Sequence, residues 1–456
     1  MGILSHIKHL GPLILYVTCI LFSLRGLTGD GRWALLLAAF LVPLRNIIDK
    51  LQEFPLGNQL IDILIAAALI GAFFYSSKEK RQFLVPSISN LIIVVLVIYT
   101  FLSFLLGNNY LDGTFSFSLS DYRLKDWKNF CLMPLLFFIT LNHITNRAWV
   151  VRMLMAMACA IILIEYYTVA QIHEHSSLLS RERITGTFQF LGPNEVAAFF
   201  NQYTVVLISI FFFIKNKWAK WALLAIIGAN IYCILFLYSR GAYLGLLAGM
   251  LFLFAFKNKK MFIVLILLVL FGQAIFPEKV IERIKHTENE YGQLDESSAD
   301  RLLIWHQGME LFQKSPLVGI GFDVFRYLGL MLGDTHNIYV KILAEQGLVG
   351  MLIFLIVIFC FLRMGYVLYK KGEDDLSKGM GLGLMACIIV MMINNFFGDR
   401  WTYFELSAYL WILAGLVGRL IIMAQSPEAL AQAEQKTKNA PAAIAQKKKK
   451  LRYYDL

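Results

Sequence analysis

The segment "GDTHNIYVKILAEQGLVGMLIFLIVIFCF", residues 333–361, joins a polar stretch to a long apolar run. Its second half, 351–361, carries no charged residue. Many other runs along the chain approach the ~20 apolar residues that a bilayer-spanning helix needs. The segment therefore predicts one span of a polytopic, all-α membrane protein, with a polar entry that a plain membrane helix does not need.

The composition agrees with this class. Of 456 residues, 58% are hydrophobic and only 16% are charged, which is too few for the surface of a soluble domain. The formal net charge is +11, but the Lys and Arg residues concentrate in short breaks, so they predict topology and no nucleic-acid partner. The six cysteines fall within apolar runs without metal-ligand spacing, so we predict no metal and no cofactor.

The predicted spans cover about 10–28, 32–48, 59–77, 88–107, 128–145, 149–170, 194–214, 219–238, 241–256, 261–277, 347–369, 380–398 and 403–423. Basic residues concentrate in the breaks at 78–81, 146–152, 215–220, 257–260 and 369–378, and again at 447–450. The positive-inside rule places all of them, and the C-terminus, in the cytoplasm.

The N-terminal segment leaves two topologies open. Thirteen full spans would put Met1 outside, whereas twelve, with a half-span or re-entrant piece in 10–48, would put it inside. We favour about twelve, because "MGILSHIKH" is short and basic and because Pro43 and Arg45 interrupt the second segment.

Four regions follow from this pattern. Residues 1–277 hold about ten spans, 278–336 form a large outer loop, 337–423 hold a surface helix and the last spans, and 424–456 form a basic cytoplasmic tail. Between Glu278 and Asp334 the loop has ten acidic and six basic residues, in keeping with an outer position. Within it, "SSADRLLIWHQGMELF" (297–312) predicts an amphipathic helix, which "KSPLVGIGF" (314–322) ends. The predicted apolar face comprises Leu302, Ile304, Trp305, Met309 and Phe312.

Two outer breaks present arginine residues. "SRG" (239–241) interrupts an apolar stretch, and an arginine at membrane depth is a functional candidate, although a tight turn with Arg240 reaching the headgroups is the alternative. Ser239 and Arg240 together suit an anion. In "RERITGTFQFLGPNEVA" (181–197), Arg183 precedes a Gly-Thr turn and Asn194 is the predicted helix cap. An ordinary capped loop and an anion site are both open for this stretch.

Further outer residues complete the candidate site. His336 is either a helix-cap or core residue, or a group that activates or positions a hydroxyl, with Asn337 beside it. Arg301 opens the loop helix, and Asp399-Arg400 is predicted as a further charge pair. Guanidinium groups match phosphate oxygens bidentately. The residues therefore favour a substrate with a doubly charged anionic group, attacked by a hydroxyl at the membrane surface.

The motifs "GTFQFLGPNEVA" (186–197), "SRGAYLG" (239–245), "RLLIWHQGMELFQKSPLVGIGF" (301–322) and "THNIYVKILAEQGLVG" (335–350) resemble the O-antigen ligase and polymerase superfamily. The resemblance implies a GT-C-like, multi-pass glycosyltransferase of the bacterial inner membrane with a periplasmic active site. It implies His336 as the catalytic residue and Arg240, Arg301 and Arg183 as ligands of the donor diphosphate. Ser239, Asn337, Asn194 and Arg400 are supporting candidates.

The resemblance also implies the reaction and its partners. The donor would be a glycan on undecaprenyl diphosphate and the acceptor a sugar of lipid A–core, with membrane lipids around the protein. Transfer would be metal-independent and inverting. A polymerase of the same superfamily is the first alternative. A lipid-glycan transporter is less favoured, because we find no internal repeat and the polar groups lie at one face.

Overall fold

The structure of the chain, a computed structural model, describes residues 2–78, 83–85, 87–111, 113, 121–175, 181–257, 259–271, 281, 296–329 and 334–425. Regular secondary structure in these residues is helical, and ten of their helices are long and apolar enough to cross a membrane. The prediction of a polytopic all-α membrane protein is confirmed, whereas the count of about twelve spans stays a prediction. The predicted tail beyond residue 425 lies outside the described residues, as do 278–280, 282–295 and 330–333 of the predicted loop.

We number the helices in chain order. They are α1 Gly2–Leu27, α2 Arg32–Leu41, α3 Arg45–Ile48, α4 Leu60–Lys78, α5 Ile88–Tyr110, α6 Tyr122–His143, α7 Arg147–Glu174, α8 Pro193–Phe213, α9 Lys217–Phe236, α10 Arg240–Lys257, α11 Lys259–Phe271, α12 Glu296–Lys314, α13 Ile338–Lys371, α14 Asp375–Asn394 and α15 Phe404–Ala424. The predicted helix of the outer loop is α12, and the predicted break at 239–241 is the turn between α9 and α10.

Ion pairs bring three of the basic breaks together at one end of the helix bundle. Arg147 at the start of α7 donates to Asp374, which caps α14, at 2.6 Å. Lys215, between α8 and α9, pairs with Asp375 at 3.1 Å. We call this the basic end, and the other the opposite end. The prediction that these breaks share one side is confirmed for 146–152, 215–220 and 369–378. It stays a prediction for the other breaks, as does the compartment that each end faces.

The second apolar segment runs between the two ends of the bundle. Arg32 at the start of α2 donates to the Thr145 hydroxyl at the basic end (3.0 Å). At the opposite end, Asn46 N–H donates to the Thr187 carbonyl (3.0 Å), and the Thr187 hydroxyl donates to the Pro43 carbonyl (2.6 Å). The helix breaks after Leu41, because Pro43 has no N–H to continue it. These contacts favour the thirteen-segment alternative over a re-entrant piece.

Three buried helices form the core of the bundle and reach its opposite end. Helices α8, α14 and α15 are buried along most of their length. The Asn394 side-chain amide donates to the Asn201 side-chain oxygen (2.8 Å), which joins α14 to α8. Small residues let these helices approach closely, since a Cβ on Gly379 would lie 3.0 Å from the Ile210 Cα. The turn that follows α14 is therefore fixed against the core of the bundle.

Candidate functional site

The hydrogen bonding of α13 breaks at Gly347, which we call the hinge. Gly347 has φ +63° and ψ −164°, a conformation that glycine adopts at low cost. The break leaves two carbonyl groups of the preceding turn without partners in the helix. The N–H groups of Ile320 and Gly321 donate to the carbonyls of Ala344 (3.0 Å) and Glu345 (2.8 Å). The loop therefore satisfies the backbone groups that the broken helix exposes.

The same loop segment also bonds the chain beyond the break. Leu348 N–H donates to the Pro316 carbonyl at 2.9 Å, and Val349 N–H donates to the Leu317 carbonyl at 3.1 Å. The predicted helix-ending segment "KSPLVGIGF" is thus laid against α13 on both sides of Gly347. The first part of α13, 338–346, is therefore a separate short helix held by the outer loop.

We expect Gly347→Ala to lower the melting temperature of the purified protein by several degrees. A Cβ at Gly347 would lie 2.4 Å from the Leu317 carbonyl group, in a conformation that alanine avoids. Gly329→Ala is the matched control, because Gly329 has φ +65° but nothing within 4 Å of an added Cβ. Thermal unfolding in detergent measures both variants. Equal melting temperatures would show that the contact with Leu317 does not stabilise the hinge.

His336 lies in the turn that starts α13. The Asn337 side chain caps the helix, accepting the N–H groups of Tyr339 (3.0 Å) and Val340 (3.3 Å). The Thr335 hydroxyl donates to the Asn337 carbonyl (2.9 Å). His336 itself has φ +48° and is half-buried. The interpretation of His336 as the helix cap is therefore wrong, because its neighbour fills that role.

Helix α12, which carries Arg301, contacts the His336 turn. The Trp305 indole N–H donates to the Thr335 carbonyl at 3.0 Å, and Arg301 lies one helical turn before Trp305. The predicted apolar face of α12 is partly wrong, because Leu302 is 51% exposed. Over 299–314 of α12, the buried residues are Ile304, Gly308 and Leu311. Ile304 and Leu311 belong to a small apolar cluster with Ile320, Val324, Phe325 and Ala344.

Arg240 starts α10 and is half-buried, and Ser239 before it is 4% exposed. A Cβ on Gly241 would lie 2.8 Å from the Phe397 ring, so this helix start packs on the segment after α14. Ile338, which follows Asn337, donates its N–H to the Asn395 carbonyl at 3.1 Å. The elements that carry Arg240 and His336 therefore rest on one support, residues 395–397.

Arg400 and Asn194 differ from their predicted roles. The Arg400 guanidinium, 3% exposed, pairs with Glu195 at 3.0 Å and does not pair with the Asp399 carboxylate. It joins the first turn of α8 to the turn before α15. The prediction of Asn194 as a helix cap is wrong, because Gly192 is the cap residue and Pro193 opens the helix. Asn194 is half-buried in the first turn.

Arg183 is exposed at the end of a short 3-10 helix, Arg181–Arg183. A side chain of α7 fixes the turn that follows Arg183. The Gln171 side-chain oxygen accepts the N–H groups of Thr185 (3.0 Å) and Gly186 (2.8 Å). Arg183 is thus on a fixed turn at the opposite end of the bundle. Among the described residues, no hydrogen bond or ion pair joins it to the His336 turn.

A buried group of charges lies under the His336 turn. Lys341, one turn into α13, lies 3.1 Å from an Asp399 carboxylate oxygen and 3.8 Å from one of Asp323. Glu345, one turn further, accepts the N–H groups of Asp323 (3.0 Å) and Phe325 (3.1 Å). One lysine therefore joins α13, the outer loop and the turn after α14.

Charges of this kind shift each other's titration. Burial raises the pKa of Asp323 to about 6, against the attraction of Lys341 and Arg326. Burial would also raise the pKa of Asp399, but Lys341 and the hydrogen bonds from Thr402 hold it below its ordinary value. Asp399 is 0% exposed, and its ionised form depends on Lys341.

Two arginine residues fasten the outer loop to α6. The Arg123 guanidinium donates to the Phe322 carbonyl at 2.9 Å, and Arg326 pairs with Asp126 at 3.0 Å. The predicted span began at about residue 128, but α6 begins at Tyr122, so Arg123 and Asp126 are helical. The loop that holds Asp323 is therefore docked on the bundle by its own basic residue and by one from α6.

The chain is similar in sequence to known proteins over the segment that contains the candidate site. Residues 223–355 match the family model of the O-antigen ligase family, and they include Arg240, Arg301, His336 and the hinge. A protein of Rickettsia felis recorded as "Putative polysaccharide ligase" is 25% identical over 195 residues. The alignment covers 38% of this chain and 46% of that protein, so it spans less than half of the relative. The part of the chain that is similar to the O-antigen ligase family therefore carries the elements that meet at the opposite end.

Proposed function

We propose that the protein transfers a glycan from undecaprenyl diphosphate to a sugar hydroxyl of lipid A–core, as an O-antigen ligase. One observation supports this most: α12 contacts the His336 turn, and this turn and the start of α10 rest on the same segment, 395–397. Three elements that carry a histidine and two arginine residues therefore meet at the end away from the basic breaks.

The proposed reaction uses these residues as follows. The acceptor hydroxyl attacks the anomeric carbon of the glycan, and His336 takes the hydroxyl proton. The bond between that carbon and the diphosphate oxygen breaks, and undecaprenyl diphosphate leaves with the bonding electrons. Arg240 and Arg301, with Arg183, stabilise the charge that develops on the diphosphate. Attack from the face opposite the leaving group inverts the anomeric centre, and the arginine residues take the role that a metal has in other transferases.

The proposed orientation puts this site in the periplasm and the basic end in the cytoplasm of a bacterial inner membrane. The positive-inside rule supports it, because Arg147, Lys215 and their neighbours gather at one end. A glycan that has been moved across the membrane on its lipid would then meet the acceptor at the outer surface.

A transfer assay with purified protein tests the proposal. Labelled lipid-linked glycan is offered together with rough lipopolysaccharide and a second lipid-linked repeat, with and without EDTA. We expect label on lipid A–core and an unchanged rate in EDTA. Label that appears only on a lengthened lipid-linked chain would identify the polymerase alternative. Label that stays on the original lipid would reject both transferases.

A further inference from the structure

An exposed apolar surface lies where the outer loop meets α13, and the proposed transfer does not use it. The loop side chains of Leu317 and Val318 are 64% and 42% exposed. They lie beside Leu348 and Val349 of α13, which are also exposed, because backbone hydrogen bonds join the two segments there. No residue in the loop segment 315–322 is charged. The loop and the helix therefore share one continuous apolar face.

The loop segment contacts α5 within the part of that helix that crosses the membrane. Helix α5 is long and apolar enough to span a bilayer, and its first residue, Ile88, is at the basic end. Phe322 N–H donates to the Ser103 carbonyl at 3.1 Å, and Ser103 lies ~22 Å along the helix axis from Ile88. The hydrocarbon core of a bilayer is ~30 Å thick, so this contact lies inside it. Leu102, next to Ser103, is 56% exposed, as expected of a side chain in contact with lipid.

The exposed part of the segment lies deeper than its contact with Ser103. The Tyr99 hydroxyl, on the turn of α5 nearer the basic end, donates to the Gln346 carbonyl of α13. The Leu317 carbonyl accepts the Val349 N–H at 3.1 Å, three residues beyond Gln346. Leu317 is therefore near the level of Tyr99, within the apolar length of α5.

The backbone of the segment suits an apolar environment. In hydrocarbon, backbone N–H and carbonyl groups must be bonded within the protein. Residues 319–322 donate their N–H groups within the loop and to α13 and α5, and the carbonyls of Pro316 and Leu317 accept N–H groups of α13. Gly321 packs so closely on α5 that a Cβ there would lie 2.2 Å from the Gly107 Cα. These contacts hold the segment in the wall of the bundle.

The continuity of this face with a spanning helix identifies its partner. Leu352, one turn beyond Leu348, is 59% exposed on the part of α13 that crosses the membrane, so lipid covers it. The same face continues from Leu352 through Leu348 to Leu317. Water at Leu317 and Val318 would cost roughly 25 cal/mol for each Å² of apolar surface left exposed, whereas acyl chains cover that surface without this cost.

We propose that the outer loop inserts Leu317 and Val318 among the phospholipid acyl chains of the leaflet at the opposite end. The loop segment is a shallow re-entrant anchor, and it fixes the height of α12 relative to the lipid surface. This inference does not rest on the proposed transfer reaction, because it uses none of the residues assigned to that reaction.

Photo-crosslinking of the full-length protein in vesicles of phosphatidylethanolamine and phosphatidylglycerol tests the proposal. Benzoylphenylalanine is incorporated in place of Leu317 or, separately, of Val318, where an exposed side chain leaves room for it. Under ultraviolet light its ketone takes a hydrogen atom from a nearby C–H group, and the two carbon atoms then join. We expect protein that carries the mass of one phospholipid, with the new bond located in an acyl chain by tandem mass spectrometry.

Two further positions calibrate the yield of lipid adduct. Leu352, on the spanning part of α13, is the position expected to give the adduct in any case. His306 of α12, 74% exposed and paired with Glu310, is the matched position in solvent and should give none. Lipid adducts at 352 but at neither 317 nor 318 would overturn the proposal, as would bonds to headgroups alone. Covalent dimers at 317 and 318 without lipid adducts would instead identify a second copy of the chain as the partner of this face.

Discussion

Replacing His336 by asparagine is expected to lower the rate of glycan transfer about 10²–10⁴-fold, the range for removing a positioned acid–base group. His336 has φ +48°, and asparagine tolerates this conformation, so the turn should keep its shape. The cap is made by Asn337 and the contact to α12 by Trp305, so neither depends on the imidazole. We therefore expect transfer to fall while the melting temperature stays that of the unsubstituted protein.

The chain offers a matched control for this variant. His306 lies on α12, where its side chain is 74% exposed and pairs with Glu310. His306→Asn should leave transfer unchanged, because that imidazole points into solvent. Transfer at the full rate in the His336 variant would remove the histidine from the proposed mechanism. A fall in melting temperature of the His336 variant would mean that the residue acts through the fold.

Much of the fold could be predicted from the sequence, because the lipid environment restricts the structures that a membrane-spanning segment can adopt. A backbone that crosses hydrocarbon must satisfy its own hydrogen bonds, so long apolar runs become helices. Glycine and proline then mark the breaks, as at Gly347 and after Leu41. Sequence reasoning failed at the helix starts, where geometry decides: Pro193 opens α8 and Asn194 does not cap it, and α6 extends back to Tyr122.

The site was predictable only in part, for a related reason. The sequence predicts Arg240, Arg301 and His336 as site residues because charged or titratable groups are unusual beside apolar runs. Their common support, residues 395–397, has no such signal, and only packing reveals it. Lys341 and Glu345 are four residues apart, so they share one face of the first part of α13. Their partners Asp323 and Asp399 come from segments far along the chain, so no local pattern could pair them.

Replacing Lys341 by methionine is expected to destabilise the protein by ~3–5 kcal/mol, the usual cost of removing one member of a buried ion pair. The lysine side chain is 13% exposed, and its partners Asp323 and Asp399 are 8% and 0% exposed. Without the ammonium group, two carboxylates remain buried with no cation at that position. Chemical denaturation in detergent measures the loss, and Lys314→Met, at an exposed position of α12, is the matched control.

The double variant Lys341→Met with Asp399→Asn separates this charge effect from a loss of packing. If the cost is the unpaired charge at Asp399, the second substitution should recover much of the stability, since asparagine can still accept the N–H groups of Trp401 (2.9 Å) and Thr402 (2.8 Å). Additive losses would show that Lys341 stabilises the protein by other contacts. Because Lys341 fixes the first turn of α13 to the segment before α15, its loss should lower transfer and stability together. The His336 variant should lower transfer alone, so the two substitutions distinguish a residue that supports the site from one that acts in it.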